Sequence, residues 1–419
     1  MAYDAAPDAS TAQAAGVDPQ RLQRAVDHLR TRYVEPQKIS GCQLVVHRRG
    51  HTVLKATLGS SDLERGAPLR DDAIFRIYSV TKPITSVALM QLFELGLFQL
   101  DDPVASVIPE WAELQVWVSG EGDQMVTEPC KRPMSFRDLL RHTSGLTYGT
   151  LLETVGAPAA RHPVDQLYKD AKIRATVEET LDDFIAKLAK IPLRYQPGEA
   201  WMYSLATDVI GAVVERICGM RFDAYLQEYI LGPLGMKDTS FSVPEAKRDR
   251  FGANYMRDDN RKLKVVDDPQ KSFFLTEPAF LSGGGGLVGT IDDYLRFCRM
   301  LLNGGELDGA RILNRRTIEL MRANHLPDGG DLTGWAIGLF SETVNTGIGF
   351  GLGFASSQSQ VSTGQLSAGE YYWGGAASTI FWVDPAEDLA VIFMTQLMPS
   401  STFNFRGQLK SLIYSALED

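Results

Sequence analysis

Between Asp18 and Tyr33 the apolar residues Leu22, Val26 and Leu29 return at helical spacing, which predicts a helix. The pattern then changes. GCQLVVHRRGHTVLKATLG (41–59) reads as two strands joined by an Arg48-Arg49-Gly50 turn. A second helix follows IYSVTKP (77–83): Val80, Ile84, Val87, Ala88, Leu92 and Leu95 share one face. Leu89, Met90 and Phe93 widen that face, so the helix is expected to be central, with Gly96 as its stop. From about 100 to 285 the pattern is mostly helical, broken by loops, and shows no convincing sheet. SGGGGLVGTIDDYLRFCRMLLNGG (282–305) reads as a glycine turn and then a helix capped by Thr290, with Asp292 and Asp293 in its first turn.

Three strands are expected near the C-terminus, in TGIGFGLGFA, GEYYWGGAASTIFWVD and LAVIFMTQL, with turns at 356–369 and at Asp384-Pro385-Ala386-Glu387. A helix over about 403–417 closes the chain. Strands thus stand at both ends with helices between. The expectation is an α/β (α+β) fold: a sheet domain assembled from 1–85 and 286–419, a mainly helical domain over 86–285, and the active site at their interface.

Composition narrows the partners. The 419 residues carry a formal charge of −10 and no basic cluster, which argues against nucleic acid or an anionic membrane. No run approaches the ~20 apolar residues of a membrane helix. The N-terminal stretch lacks the basic and apolar regions of a signal peptide. Cys42, Cys130, Cys218 and Cys298 are far apart in sequence and form no CxxC pair; they read as reduced thiols of a cytoplasmic protein. His47 and His51 have no third ligand nearby and read as ordinary strand residues. The glycines at 283–286 are followed by no GK[ST], so they are no P-loop but a tight turn beside other backbone. Neither a metal nor a cofactor is called for, and the sequence sets no oligomeric state.

Chemistry enters at Ser79 and Lys82. Residues three apart lie on one helix face, so the two side chains are expected to be neighbours. A serine is a weak nucleophile until a base takes its proton, and a desolvated lysine is such a base. A helix start adds N–H groups that favour an oxyanion. Pro83 supplies no N–H and pushes Lys82 away from helical angles, so the first turn is expected to be irregular. By itself the pair also fits a capping serine beside a solvated lysine. Tyr203, on a loop before the apolar helix that starts near Ala206, is either a general base beside that lysine or a packing tyrosine. Gly374 and Gly375 sit inside a strand pattern, which marks a close approach or a bend. The N–H of Ala376 is a candidate to join that of Ser79 as an oxyanion hole.

Ser-x-x-Lys, Tyr-Ser some 120 residues on and Trp-Gly-Gly in a C-terminal strand together resemble the serine β-lactamase and penicillin-binding-protein superfamily. Within it the likeness is to family VIII carboxylesterases and their class C β-lactamase relatives. LLRHTSGL (139–146), PGEAWMYS (197–204), PLGMKDTSF (233–241) and GGGLVGTIDDYLRF (284–297) extend the resemblance over residues 20 to 415. It implies that Ser79 is acylated, that Lys82 and Tyr203 handle its proton, and that Trp373, Gly374 and Gly375 stand where β-lactamases carry Lys-Thr-Gly. Leu205 takes a position often held by asparagine. The fold implied is β-lactamase/transpeptidase-like, and the activity is hydrolysis of small to medium carboxylic esters, with weak β-lactam turnover as a side reaction. β-Lactamase, D-amino-acid peptidase and acyltransferase activities remain alternatives on the same site, and a non-catalytic ligand-binding relative is a remoter one. The neutral indole of Trp373 favours neutral esters over anionic substrates, unless an arginine or lysine from a loop compensates.

Overall fold

The computed structural model describes residues 7–151, 153, 162–174, 176–336 and 346–418. Its centre is an eight-stranded antiparallel sheet. The strands run in the order Ile348–Phe350, Ala355–Ser357, Tyr371–Gly374, Ile380–Asp384, Leu389–Thr395, Gly41–Arg48, His51–Asp62 and Ala67–Pro68. The early hairpin and the late strands are stitched at Gly41–Arg48 and Leu389–Thr395, where Cys42 faces Thr395 and Arg48 faces Leu389. Every residue of those two strands is buried, as expected of strands covered on both faces.

Two aromatic contacts identify the covers. Phe381 packs on Tyr294 of helix Ile291–Leu302. Phe393 packs on Phe405 of helix Phe405–Tyr414, which lies beside helix Pro19–Leu29. Phe381 is paired with Ile392, so Phe381 and Phe393 point to opposite faces, and helices lie on both sides of the sheet. Thr290 caps helix Ile291–Leu302 by accepting from the Asp293 N–H.

Three regions depart from the sequence expectation. TGIGFGLGFA (346–355) is not one strand: Ile348–Phe350 folds back antiparallel on Ala355–Ser357, which takes up the start of the expected 356–369 turn. The stretch 100–285 does hold strands: the hairpin Gln115–Ser119 with Val126–Pro129, and the pair Asn254–Arg257 with Leu263–Asp267. Val126–Pro129 is exposed throughout and Leu263–Asp267 is at most half-buried, so neither carries a strong apolar alternation. The segment GEYYWGGAASTIFWVD is two antiparallel strands rather than one, with Trp373 opposite Phe381. Its small residues make the turn between them. Gly375 N–H bonds to the Thr379 carbonyl, and Ser378 takes a left-handed φ of +62°. Ala376 therefore sits in a turn, not on a strand edge.

The four cysteines are free. His47 bonds to Thr52 across its hairpin, and no cluster of metal-ligating side chains occurs among the described residues. Among those residues no helix is long and apolar enough to cross a membrane.

Candidate active site

Helix Thr81–Glu94 is buried on nearly all sides, as its low amphipathicity requires. A single 3-10 turn, Tyr78–Val80, precedes it, so Ser79 lies just before the α-helix and Lys82 in its first turn. Tyr78 adopts φ +44°, an uncommon angle for a bulky residue. The surroundings hold it there. Ile77 N–H bonds to the Leu287 carbonyl, the Ile77 carbonyl accepts from the Thr379 hydroxyl at 3.1 Å, and the Val80 carbonyl accepts from Tyr294 at 3.0 Å.

Three polar residues in the first two turns of this apolar helix have partners in the glycine turn. Thr81 accepts from the Leu287 N–H at 3.2 Å, and Thr85 donates to the Gly283 carbonyl at 2.8 Å. Lys82, only 2% exposed, donates to the Gly284 carbonyl, to the Tyr148 hydroxyl at 2.7 Å and to Ser79 Oγ at 3.2 Å. The other side of Gly284 is held too: its N–H donates to Asp208 at 3.1 Å. Asp208 also accepts from the Ser282 hydroxyl. A Cβ on Gly284 would collide with this carboxylate, and one on Gly283 would come 2.6 Å from the Thr207 carbonyl oxygen. These glycines let backbone approach the lysine closely.

The aromatic groups close around this centre. Tyr203 puts its ring 4.7 Å from Lys82 Nζ, and its hydroxyl accepts from Trp373 Nε1 at 3.3 Å. Tyr148 packs on Tyr203 with centroids 5.1 Å apart. Behind them His142 packs edge-on against Tyr203 and bonds to the Ser204 hydroxyl. Electrostatics follow from burial. Desolvation, reinforced by the Tyr203 hydroxyl and Asp208, pushes the Tyr148 phenol well above its ordinary range, so it is a neutral O–H. Burial raises the Asp208 carboxyl, and the charge of Lys82 opposes that rise. Burial and the same lysine hold His142 well below its usual value, hence uncharged.

The turn after Trp373 approaches the serine segment from the other side. A Cβ on Gly375 would collide with the Thr379 hydroxyl and the Ile77 carbonyl. Gly374 lies against the Arg406 guanidinium, which donates to the Trp373 carbonyl at 3.1 Å. Ser79 and Ala376 both line a cavity of about 300 Å³, whose wall includes Leu151, Ile173, Phe184, Leu205 and Phe280. The structure thus brings Ser79, Lys82, Tyr203, Trp373, Gly374, Gly375 and Ala376 into one region. Sequence reasoning missed Tyr148, Asp208 and the Gly284 carbonyl. Tyr148 follows LLRHTSGL by two residues, and Asp208 is an acid inside an apolar helix; both were visible signals.

Comparison with known proteins fits this arrangement. The Beta-lactamase family model matches residues 23–413. The chain belongs to the Beta-lactamase family. It is 31% identical to Esterase EstB of Burkholderia gladioli, over 90% of this chain and 91% of that one. It is 29% identical to Acyltransferase calJ of Penicillium decumbens, over 84% and 82%. Among solved structures it is similar to EstCE1, a hydrolase with promiscuous acyltransferase activity. The TM-score is 0.76 at 26% identity, covering 94% of this chain and 99% of that one. These likenesses agree with the family VIII esterase resemblance carried by the motifs.

Proposed function

We propose that the protein is a serine carboxylesterase acting on short- to medium-chain esters. The observation that carries this reading is Ser79 Oγ at 3.2 Å from a buried Lys82 Nζ, at the wall of an apolar cavity. In the neutral amine form, Lys82 donates two N–H groups to the Gly284 carbonyl and the Tyr148 oxygen and turns its lone pair to the Ser79 hydroxyl. Ser79 Oγ then bonds to the ester carbonyl carbon while its proton passes to Lys82. The carbonyl oxygen becomes an oxyanion between the N–H groups of Ser79 and Ala376. The C–O bond to the alcohol breaks, and the alcohol leaves with a proton returned through Lys82 and the tyrosines. Water repeats the sequence on the acyl-enzyme and frees Ser79.

A second outcome shares the acyl-enzyme: capture by an alcohol instead of water. The apolar wall favours it by limiting water near Ser79, and calJ and EstCE1 bear acyltransferase names. β-Lactam hydrolysis is at most a side reaction, because an indole replaces the charged residue that suits a carboxylate.

The test is labelling with a fluorophosphonate, followed by intact mass and peptide mapping, together with turnover of a chromogenic short-chain ester. One adduct on Ser79 and loss of turnover in Ser79→Ala are expected. An adduct elsewhere, with Ser79→Ala fully active, overturns the reading.

A further inference from the structure

Among the described residues, two charged side chains line the cavity beside Ser79, and they differ in kind. Asp208 is buried, and its carboxylate is committed to the Ser282 hydroxyl and the Gly284 N–H. Arg174 is exposed and has no hydrogen bond or ion pair among the described residues. Among the described lining residues, Arg174 is therefore the charged group whose hydrogen-bonding capacity is open to an occupant.

The loop that carries Arg174 is pinned on both sides. Ile173 N–H bonds to the Tyr168 carbonyl at 2.9 Å, and the Thr176 carbonyl accepts from the Phe280 N–H at 3.3 Å. Ile173 and Phe280 themselves face the cavity. Arg174 comes from the connection between helices Pro163–Asp170 and Leu181–Leu188, not from the strand that carries Trp373. A guanidinium is a planar fork matched to one carboxylate, and a lone one leaves half the charge of a phosphate dianion uncompensated. Being exposed, it remains hydrated until a partner arrives, so the empty site carries no desolvation penalty.

We infer that the cavity takes esters that join an apolar body to a terminal carboxylate, with Arg174 pairing with that carboxylate; this rests on the esterase reading above. Arg174 is a specificity residue and touches no reacting atom. The guanidinium serves a carboxylate carried on an apolar chain long enough to reach it from Ser79. The carboxylate can belong to the acyl group or to the alcohol.

The experiment measures kcat/KM for two series of increasing chain length. One is aryl monoesters of straight-chain dicarboxylic acids; the other is short acyl esters of ω-hydroxy acids. Each anionic substrate is paired with a methyl-capped neutral analogue, and wild type is compared with Arg174→Gln and Arg174→Glu. The readout is the anionic-to-neutral ratio within each enzyme. The ratio is expected to rise with chain length in wild type. Arg174→Gln should lower it roughly 1.5- to fivefold, as for an exposed ion pair. Arg174→Glu should lower it further, chiefly through KM, and added salt should shrink the difference. An effect confined to one series assigns the carboxylate to that side of the ester. A ratio that both substitutions leave unchanged in both series, with turnover intact, overturns the role of Arg174 alone. Absence of turnover for neutral and anionic esters alike overturns the esterase reading, and this inference with it.

Discussion

Lys82 Nζ donates a 2.7 Å hydrogen bond to the hydroxyl of Tyr148, while it stands 4.7 Å from the ring centre of Tyr203. Two tyrosines therefore attend the lysine, one through its oxygen and one through its face. The hydrogen bonding of the lysine thus includes a residue that the three sequence motifs omit. Because burial keeps the Tyr148 phenol neutral, it accepts from the lysine with its oxygen and keeps an O–H to donate.

Tyr148→Phe is expected to lower kcat by roughly 10²-fold with little change in KM, comparable to Tyr203→Phe and Lys82→Ala. The double variant Tyr148→Phe/Tyr203→Phe should lose far less than the product of the single losses, since groups acting as a unit are non-additive. Steady-state kinetics on one chromogenic ester decides it. A wild-type rate in Tyr148→Phe removes that residue from the mechanism.

Trp373 predicts the response of short substrates. Its Nε1 is committed to Tyr203 at 3.3 Å, and its ring offers no charge to a carboxylate. Wild type should favour a short neutral ester over an equally bulky one bearing a carboxylate, and Trp373→Lys should narrow the gap. Equal kcat/KM for both esters in wild type, or a ratio that the lysine leaves unchanged, would count against this account.

Two histidines predict how stability follows pH. His142 is held well below its ordinary value by burial, and burial lowers His47 to about 4. Between the folded and unfolded pKa values the unfolded chain binds more protons, so stability falls as pH falls. The contribution is fully present above about pH 6.5 and is lost on descending below it, His47 ceasing to contribute below about pH 4. Each group adds at most about 1.4 kcal/mol per pH unit. Urea midpoints from pH 7.5 to 5 should decline, and His47→Gln should flatten the decline. A flat profile from pH 7.5 to 5 would falsify the assignment.

The legible parts of the sequence were those governed by local pattern. The first hairpin, the helix after Ser79, the Thr290 cap and the turn at Asp384 follow from periodicity and turn chemistry. The strand pairs within 100–285 were not legible, because a half-exposed short strand leaves no apolar alternation to read. The division at Gly375 was hidden for another reason: Trp373 and Phe381 are both buried, so apolar character runs through the turn. At the site, Ser79, Lys82 and Tyr203 stood out because their chemistry is unusual at those places. The Gly284 carbonyl did not, since backbone acceptors have no residue letter. Only the fold reveals that one glycine faces Lys82 with its oxygen and Asp208 with its nitrogen.

The hydrogen bond from the Thr379 hydroxyl to the Ile77 carbonyl joins residues 302 apart. On the ribosome, roughly 15 to 60 s separate the emergence of these two groups at ~5–20 residues per second. Throughout that interval Ser79 and Lys82 exist without the turn that carries Ala376. The central strand Leu389–Thr395, which Gly41–Arg48 needs as its neighbour, is also still unmade. On the esterase reading proposed above, a growing chain carries its nucleophile early and its means of stabilising an oxyanion late. Acylating power would then appear only once the turn at 376 has been made, and a fragment ending before residue 376 is expected to have the serine but not the reaction.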